Sequence, residues 1–490
     1  MKILRALLAI VPLLGIAACS GGGSTPVSLG APWEKFRHDS NNSGAGNGSV
    51  AINNGKIKWQ TQIDHTPISA SPAIDVNGTI YVATEGGTLA ALEPTKGGIN
   101  WSVCSCDTPG SGAALTCPSG TPSSLGMLIS SPAVYAFNTV TYIFIGSAGG
   151  AGSPGGAVYM FQDNGTTRTC AARFQPKDSN NVAIPSSFVS SPAFTTNAIT
   201  LAVSGVFIGA AVDVTQSGAT RTVGKMYALN TDGSLIWQFP KVGAGEIGAV
   251  TSSPALGEAN AIYFTATDGN LYALANDGSF KWSFPIGVVS DPLAPFSASP
   301  LTSNLVYTAS ADGQIVAVNP DGSFRWRVSS PDGTGFVSSL AIGDQATTTP
   351  TLTPTIPPTP TPPPGATSTP TATVTPVFPV TTIFGVTTAG NVVLIDTTTG
   401  NTKMLTGPVG PITGPVVSSP FLSIDGQLVV AAADGQLHNI NTATGEEPTP
   451  WPVPLASGTP IPVRSSPSVD NNGVIYVGAD NGIVYAVGTP

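Results

Sequence analysis

Residues Ala266–Phe284 read ATDGNLYALANDGSFKWSF, and Ser310–Val328 say nearly the same again as SADGQIVAVNPDGSFRWRV. Each phrase alternates apolar and polar residues with a period of two, between two Asp-Gly pairs, and ends at a Trp. That period marks β-strands. Asp-Gly supplies the positive φ that two-residue hairpins demand. Working outward, each phrase is preceded by a Ser-Pro, a short apolar segment and another strand, such as AIYFTA or NLVYTA. The unit is therefore a four-stranded antiparallel meander.

Eight such units start at Ser71-Pro72, Ser131-Pro132, Ser191-Pro192, Ser253-Pro254, Ser299-Pro300, Ser338-Ser339-Leu340, Ser419-Pro420 and Ser466-Pro467. One meander cannot bury both of its apolar faces, so neighbouring units must cover them. Radial stacking does this and leaves only short edges. The expected fold is all-β, an eight-bladed β-propeller of four-stranded antiparallel blades. The last unit stops at its Tyr485-Ala-Val strand, without a Trp-bearing strand. GKIKWQ, Gly55 to Gln60, precedes the first Ser-Pro and is of that missing type. The N-terminal strand is thus expected to complete the last blade beside Ile483–Val487 and shut the ring.

Trp59, Trp101, Trp237, Trp282 and Trp326 fall at equivalent outer-strand positions, with Trp451 a looser match and Trp33 outside the phase. They read as packing between blades. The Asp-Gly pairs at Asp232, Asp268, Asp277, Asp312, Asp321 and Asp434 read as turns, since no stretch holds the spaced carboxylates and closing Glu of an EF-hand loop.

Gly (57) and Pro (45) make up about a fifth of the 490 residues, while 41 % are apolar and 9 % charged. That suits many turns around a real core. The formal charge is −9, and −11 without the Lys2 and Arg5 of the leader. An acidic chain so poor in clustered Lys and Arg is not expected to bind nucleic acid.

MKILRALLAIVPLLGIAACS has a basic start, an apolar stretch and a small-residue cleavage zone. Residues 1–18 read as a secretory signal. Ile16-Ala17-Ala18-Cys19 resembles the lipobox of bacterial lipoproteins, which implies lipidation at Cys19 and anchoring by acyl chains (palmitate among them) at the cell envelope, outer membrane or surface. Residues 19–32 would be a flexible tether and 33–490 a single propeller. Thr347 to Pro376 has a Pro every few positions and almost no large apolar residue, so it reads as a disordered Thr/Pro-rich insertion thrown out of unit six. Cys104, Cys106, Cys117 and Cys170 remain in an oxidising compartment. Cys104 and Cys106 stand one Ser apart, so each is expected to pair outward, with Cys117 and Cys170 in some order. Metal binding is not expected, because the three histidines, His38, His65 and His438, stand apart from them and from one another.

The repeat resembles the quinoprotein-type propeller family, the pyrroloquinoline quinone (PQQ)-like repeats. The resemblance is carried by SSPAL at Ser252–Leu256, IYFTATDGNLYAL at Ile262–Leu274 and DGSFKW at Asp277–Trp282, with echoes at Val306–Trp326 and Val474–Val487. PWEKFRHDSNNSG, Pro32 to Gly44, resembles the family's lead-in. The family includes quinone-dependent alcohol and sugar dehydrogenases, and also a cofactor-free lipoprotein scaffold of the outer-membrane assembly machinery. Alcohol-oxidising members carry a vicinal Cys-Cys pair, from which Cys104-Ser105-Cys106 departs, and no segment matches their carboxylate and metal-ligand motifs. No catalytic, cofactor-binding or metal residue carries over. The chain therefore reads as a monomeric, non-catalytic scaffold without a cofactor, for an envelope protein or glycan. The alternative is a PQQ-dependent alcohol or sugar dehydrogenase-like oxidoreductase. GGAGSPGG (Gly149–Gly156) and DVTQSGATRT (Asp213–Thr222) replace two-residue turns, and with the Cys104–Cys117 loop they are expected to crown one face.

Overall fold

The computed structural model describes residues 31–489, apart from 47, 51–52, 107–124, 150–154, 198, 217, 242, 289–300, 303–304, 345–380 and 406–409. Cys19, Cys117, Ser299-Pro300 and the Thr/Pro tract lie outside the described residues. The described strands form eight antiparallel meanders, an eight-bladed β-propeller. Blade 4 shows the plan: an inner strand Ala255–Leu256, a second Ile262–Ala266, a third Asn270–Leu274 and an outer Phe280–Pro285. Blade 5 repeats it with Leu301–Thr302, Val306–Ala309, Gln314–Val318 and Phe324–Ser329. No helix among the described residues is long and apolar enough to cross a membrane.

The core is divided into layers between consecutive blades. Between blades 1 and 2, Tyr81, Ala91 and Trp101 meet Val134, Ile143 and Tyr159. Equivalent clusters follow around the disc, and one joins blades 7, 8 and 1. The ring closes as the sequence suggests. Ile57–Gln62 pairs antiparallel with Ile483–Val487, in the register Trp59 with Ala486 and Gln62 with Ile483. Blade 8 is thus built from both ends of the chain. Blade 6 spans the Thr/Pro tract: Ala341–Asp344 pairs with Thr381–Val386, and Asp344 stands opposite Thr381.

One interlock repeats at the rim. Trp101, Trp237, Trp282 and Trp326 each sit opposite an Ala of the third strand, Ala91, Ala228, Ala273 and Ala317, as Trp59 does opposite Ala486. The small residue leaves room for the indole. Trp59, Trp237, Trp282 and Trp326 donate Nε1–H to a turn carbonyl of the next blade: Pro94 (2.9 Å), Asn276 (2.9 Å), Pro320 (3.0 Å) and Thr397 (3.1 Å). Trp101 donates to the Asp163 carboxylate at 2.7 Å. Each of the four carbonyl-bound indoles also lies over the turn glycine that follows. A Cβ on Gly278 or Gly322 would fall 2.5 or 2.6 Å from Trp237 or Trp282. Trp451 is buried, but its Nε1 has no partner. In the next blade the corresponding turn is interrupted by the two chain ends.

Candidate functional site

The Ser-Pro repeat builds the axis of the disc. The Ser71 N–H donates to Ser131 Oγ (2.8 Å), Ser131 to Ser191 (2.9 Å) and Ser191 to Ser253 (2.9 Å). Across the ring, Ser339 donates to Ser419 (3.0 Å), Ser419 to Ser466 (2.9 Å) and Ser466 back to Ser71 (3.1 Å). These six bonds each tie one blade to the next at the axis. The preceding serine serves its own blade: Ser130, Ser190 and Ser252 accept from the second-strand amides of Gly146, Gly209 and Thr265. The two serines of Ser-Ser-Pro therefore have separate tasks, one between blades and one within a blade.

These serines line a narrow axial channel together with Ser69, Ile129, Val189, Thr251, Val337 and Val417, with Phe36 and Arg464 also in its wall. Its free volume is about 40 Å³. The Ser ring stands where the inner strands begin. At the other end, where they finish, the N-terminal segment crosses the mouth. Trp33 bridges Ile74 of blade 1, and Glu34 O accepts from Val134 of blade 2 (2.7 Å). Ser40 O accepts from Leu256 of blade 4 (2.7 Å), Ser43 O from Ile342 of blade 6 (3.0 Å) and Gly44 O from Leu422 of blade 7 (2.8 Å). Ala45–Gly46 then runs parallel to Phe421–Ser423. The segment visits the blades in their own order and plugs the channel.

Two cations are buried in the plug. The Arg37 guanidinium donates to the carbonyls of Leu340 and Pro420, joining blades 6 and 7. Burial pulls its pKa down to about 9, with Asp39 opposing. Lys35 donates to Asn42 Oδ1 (2.5 Å) and to the carbonyls of Phe36 and Asp39 (both 3.0 Å), and burial pulls it to about 8. Nothing in the residue pattern announced this plug beyond the lead-in phrase itself.

Among the described residues the opposite face is irregular. Second strands run antiparallel to inner ones, so their far ends lie on the Ser-ring side. In blade 3 the hairpin does not end in the expected loop at Asp213–Thr222. Its strands Val203–Gln216 and Ala219–Leu229 keep pairing out to Gln216 with Ala219. The result is an arm above the disc, and its second strand is exposed over Ala219–Thr222. Arg221 at its flank pairs with Glu246 at 2.5 Å. Cys106, beyond the outer strand of blade 1, is joined to Cys170 in the outer strand of blade 2. Cys104 is disulfide-bonded too. At the channel mouth Arg464 is clamped by Asp480 (2.9 Å) and Glu85 (2.8 Å). In blade 7, His438 lies buried between Glu447 (2.9 Å) and Asp434 (3.2 Å). Burial disfavours its charge, yet the two carboxylates outweigh that and raise its pKa. Among the described residues no group of three or more His, Cys, Asp or Glu side chains is placed to hold a metal ion. The Asp-Gly aspartates are occupied as turn acceptors: Asp277 and Asp321 take the amide and hydroxyl of Ser279 and Ser323.

A closed disc of Ser-Pro meanders with Trp interlocks defines a PQQ-like repeat propeller. The family model described as outer membrane protein assembly factor BamB matches residues 46–118, 189–355 and 359–489, and this chain belongs to that family. A search of curated proteins gave no match. Among solved structures, BamB from Moraxella catarrhalis is similar at 15 % identity, with a TM-score of 0.53 over 89 % of this chain and 100 % of that one. Quinohemoprotein alcohol dehydrogenase from Comamonas testosteroni is similar at 12 % identity, TM-score 0.54, over 93 % and 80 % of the chains. A europium-containing methanol dehydrogenase is similar at 11 % identity, TM-score 0.54, over 92 % and 90 %. At these identities the structural likenesses establish the fold and nothing further.

Proposed function

We propose that this chain is a non-catalytic scaffold of the cell envelope, anchored through Cys19, whose irregular face holds another envelope protein or a glycan. The observation that carries this reading is the asymmetry of the disc. One mouth is filled by the chain's own N-terminal segment, and the other face carries the blade 3 arm. Irregular features on a rigid scaffold are where binding usually resides. The axial channel supports the same view. Its free volume of about 40 Å³ suits a few waters, whereas sites for organic ligands run to roughly 300–1,000 Å³. The leader, whose end resembles a lipobox, and the family's description as an outer-membrane assembly factor both fit an envelope role.

The test is cross-linked capture from native membranes, comparing the wild-type chain with one whose arm, 213–222, is cut to a two-residue turn. Recovery of one partner by the wild type and its loss with the shortened arm is the expected result. Quinone- and calcium-dependent oxidation of alcohols or sugars by the purified protein would replace this reading with the oxidoreductase one.

A further inference from the structure

Charge is sorted by position in this disc. The outer strands carry Lys58, Arg168, Arg173, Lys281, Arg325, Arg327 and Lys403, and not one Asp or Glu. The chain as a whole has 27 acidic residues against 18 basic ones. We infer that the rim of blade 5, the strand Phe324–Ser329, takes up an acidic, extended polypeptide segment by strand addition. This is a second surface, on the rim, and does not rest on the irregular-face reading.

Three observations single out this strand. It is terminal in its sheet, so one side of its ladder is left unpaired over six residues. Such an edge is a template for another strand. Second, Arg325 and Arg327 flank Trp326 at a bulge, where Phe324 and Trp326 stand opposite the consecutive residues Val318 and Ala317, and both arginines are exposed. Neither has an ion pair among the described residues. The Arg327 guanidinium lies over the Phe284 ring of blade 4 (5.7 Å) and donates to the Pro285 carbonyl, which ties it to the neighbouring blade. Third, Phe324 is 58 % exposed at the start of the strand, stacked on Phe284 at 6.1 Å.

The other rims lack this combination. In blade 2, Arg168 is engaged by Asp163 at 3.3 Å, and Arg173 lies over Tyr159. Blades 4, 6 and 8 offer one cation each in their outer strands. Charged edges also discourage indiscriminate pairing. Two neighbouring arginines repel basic strands but favour one presenting carboxylates, so exclusion and selection have the same cause. The matching ligand places carboxylates beside Arg325 and Arg327, and an apolar side chain beside Phe324.

The test uses the full chain and a labelled seven-residue peptide, Thr-Val-Glu-Val-Glu-Val-Thr, read by fluorescence anisotropy. Two control peptides accompany it: one with both glutamates replaced by glutamine, one N-methylated at alternate amides. Saturable binding of the first is expected, weakened at least tenfold in either control and in the Arg325→Glu/Arg327→Glu variant. Lys403→Glu, an equally exposed rim charge reversal, should leave binding unchanged. Absence of saturable binding, equal binding of the three peptides, or an equal loss with Lys403→Glu would each overturn the assignment. A thermal melt confirms that both variants remain folded.

Discussion

At the scale of single residues, the repeated glycine and tryptophan are two halves of one contact. Gly322 has φ +90°, and a Cβ there would meet Trp282 at 2.6 Å. Gly333 also has positive φ (+69°) but nothing within 4 Å. Gly322→Ala should therefore cost about 2 kcal/mol of backbone strain plus the displaced indole. Gly333→Ala should cost the strain alone, and the gap between their denaturation midpoints measures the interlock. The Asp-Gly phrase was legible as a turn; that its glycine also receives the neighbouring indole was not, because the partner lies 40 residues away. His438 allows a second residue-scale test. Its folded pKa is raised, so the stability it contributes is fully present below the unfolded value of about 6.5 and is lost as pH rises through the folded one. His438→Gln should destabilise the chain more at pH 6 than at pH 9. Equal losses at both would show an imidazole that is neutral throughout.

At the scale of elements, strand type and order followed from periodicity, and the meander from its Gly-bearing turns. The long segment of blade 3 differs in kind from the loop expected. DVTQSGATRT holds a Ser-Gly pair, which suggests a loop, yet its β-branched residues continue the ladder as an arm. The Thr/Pro tract presents the opposite case. Asp344 and Thr381 are already cross-strand partners, so the chain between them closes a loop without helping to close it. Replacing residues 345–380 with a four-residue turn should leave the β signal in circular dichroism unchanged. It should also raise stability by about 2 kcal/mol through the shorter loop. A chain that fails to fold would mean that the tract takes part in blade 6.

At the scale of the whole molecule, three devices hold the ring: the shared strand pairing of blade 8, the serine circuit at the axis and the plug. The plug reaches furthest, and its Arg37 bridges the carbonyls of blades 6 and 7. Charge-assisted hydrogen bonds contribute about 1.5–3 kcal/mol each. Arg37→Met should thus cost about 3 kcal/mol or more, because two buried carbonyls lose a donor. Hydrogen exchange should speed up in the inner strands Ala341–Asp344 and Phe421–Ser423 while the outer strands keep their protection. Uniform acceleration across all blades would mean that Arg37 acts on global stability rather than on this junction.

By itself the sequence determined the strands, their grouping into eight meanders and the pairing of the two chain ends. These depend on local alternation, on turn chemistry and on a repeat that exposes its own missing piece. Tertiary structure decided what the repeated residues face: which serine bonds across blades, which glycine carries an indole, how the N-terminal segment fills one mouth, and where the unpaired arginines gather on the rim. Those contacts join residues tens to hundreds of positions apart, and only the curvature of the closed disc brings them together.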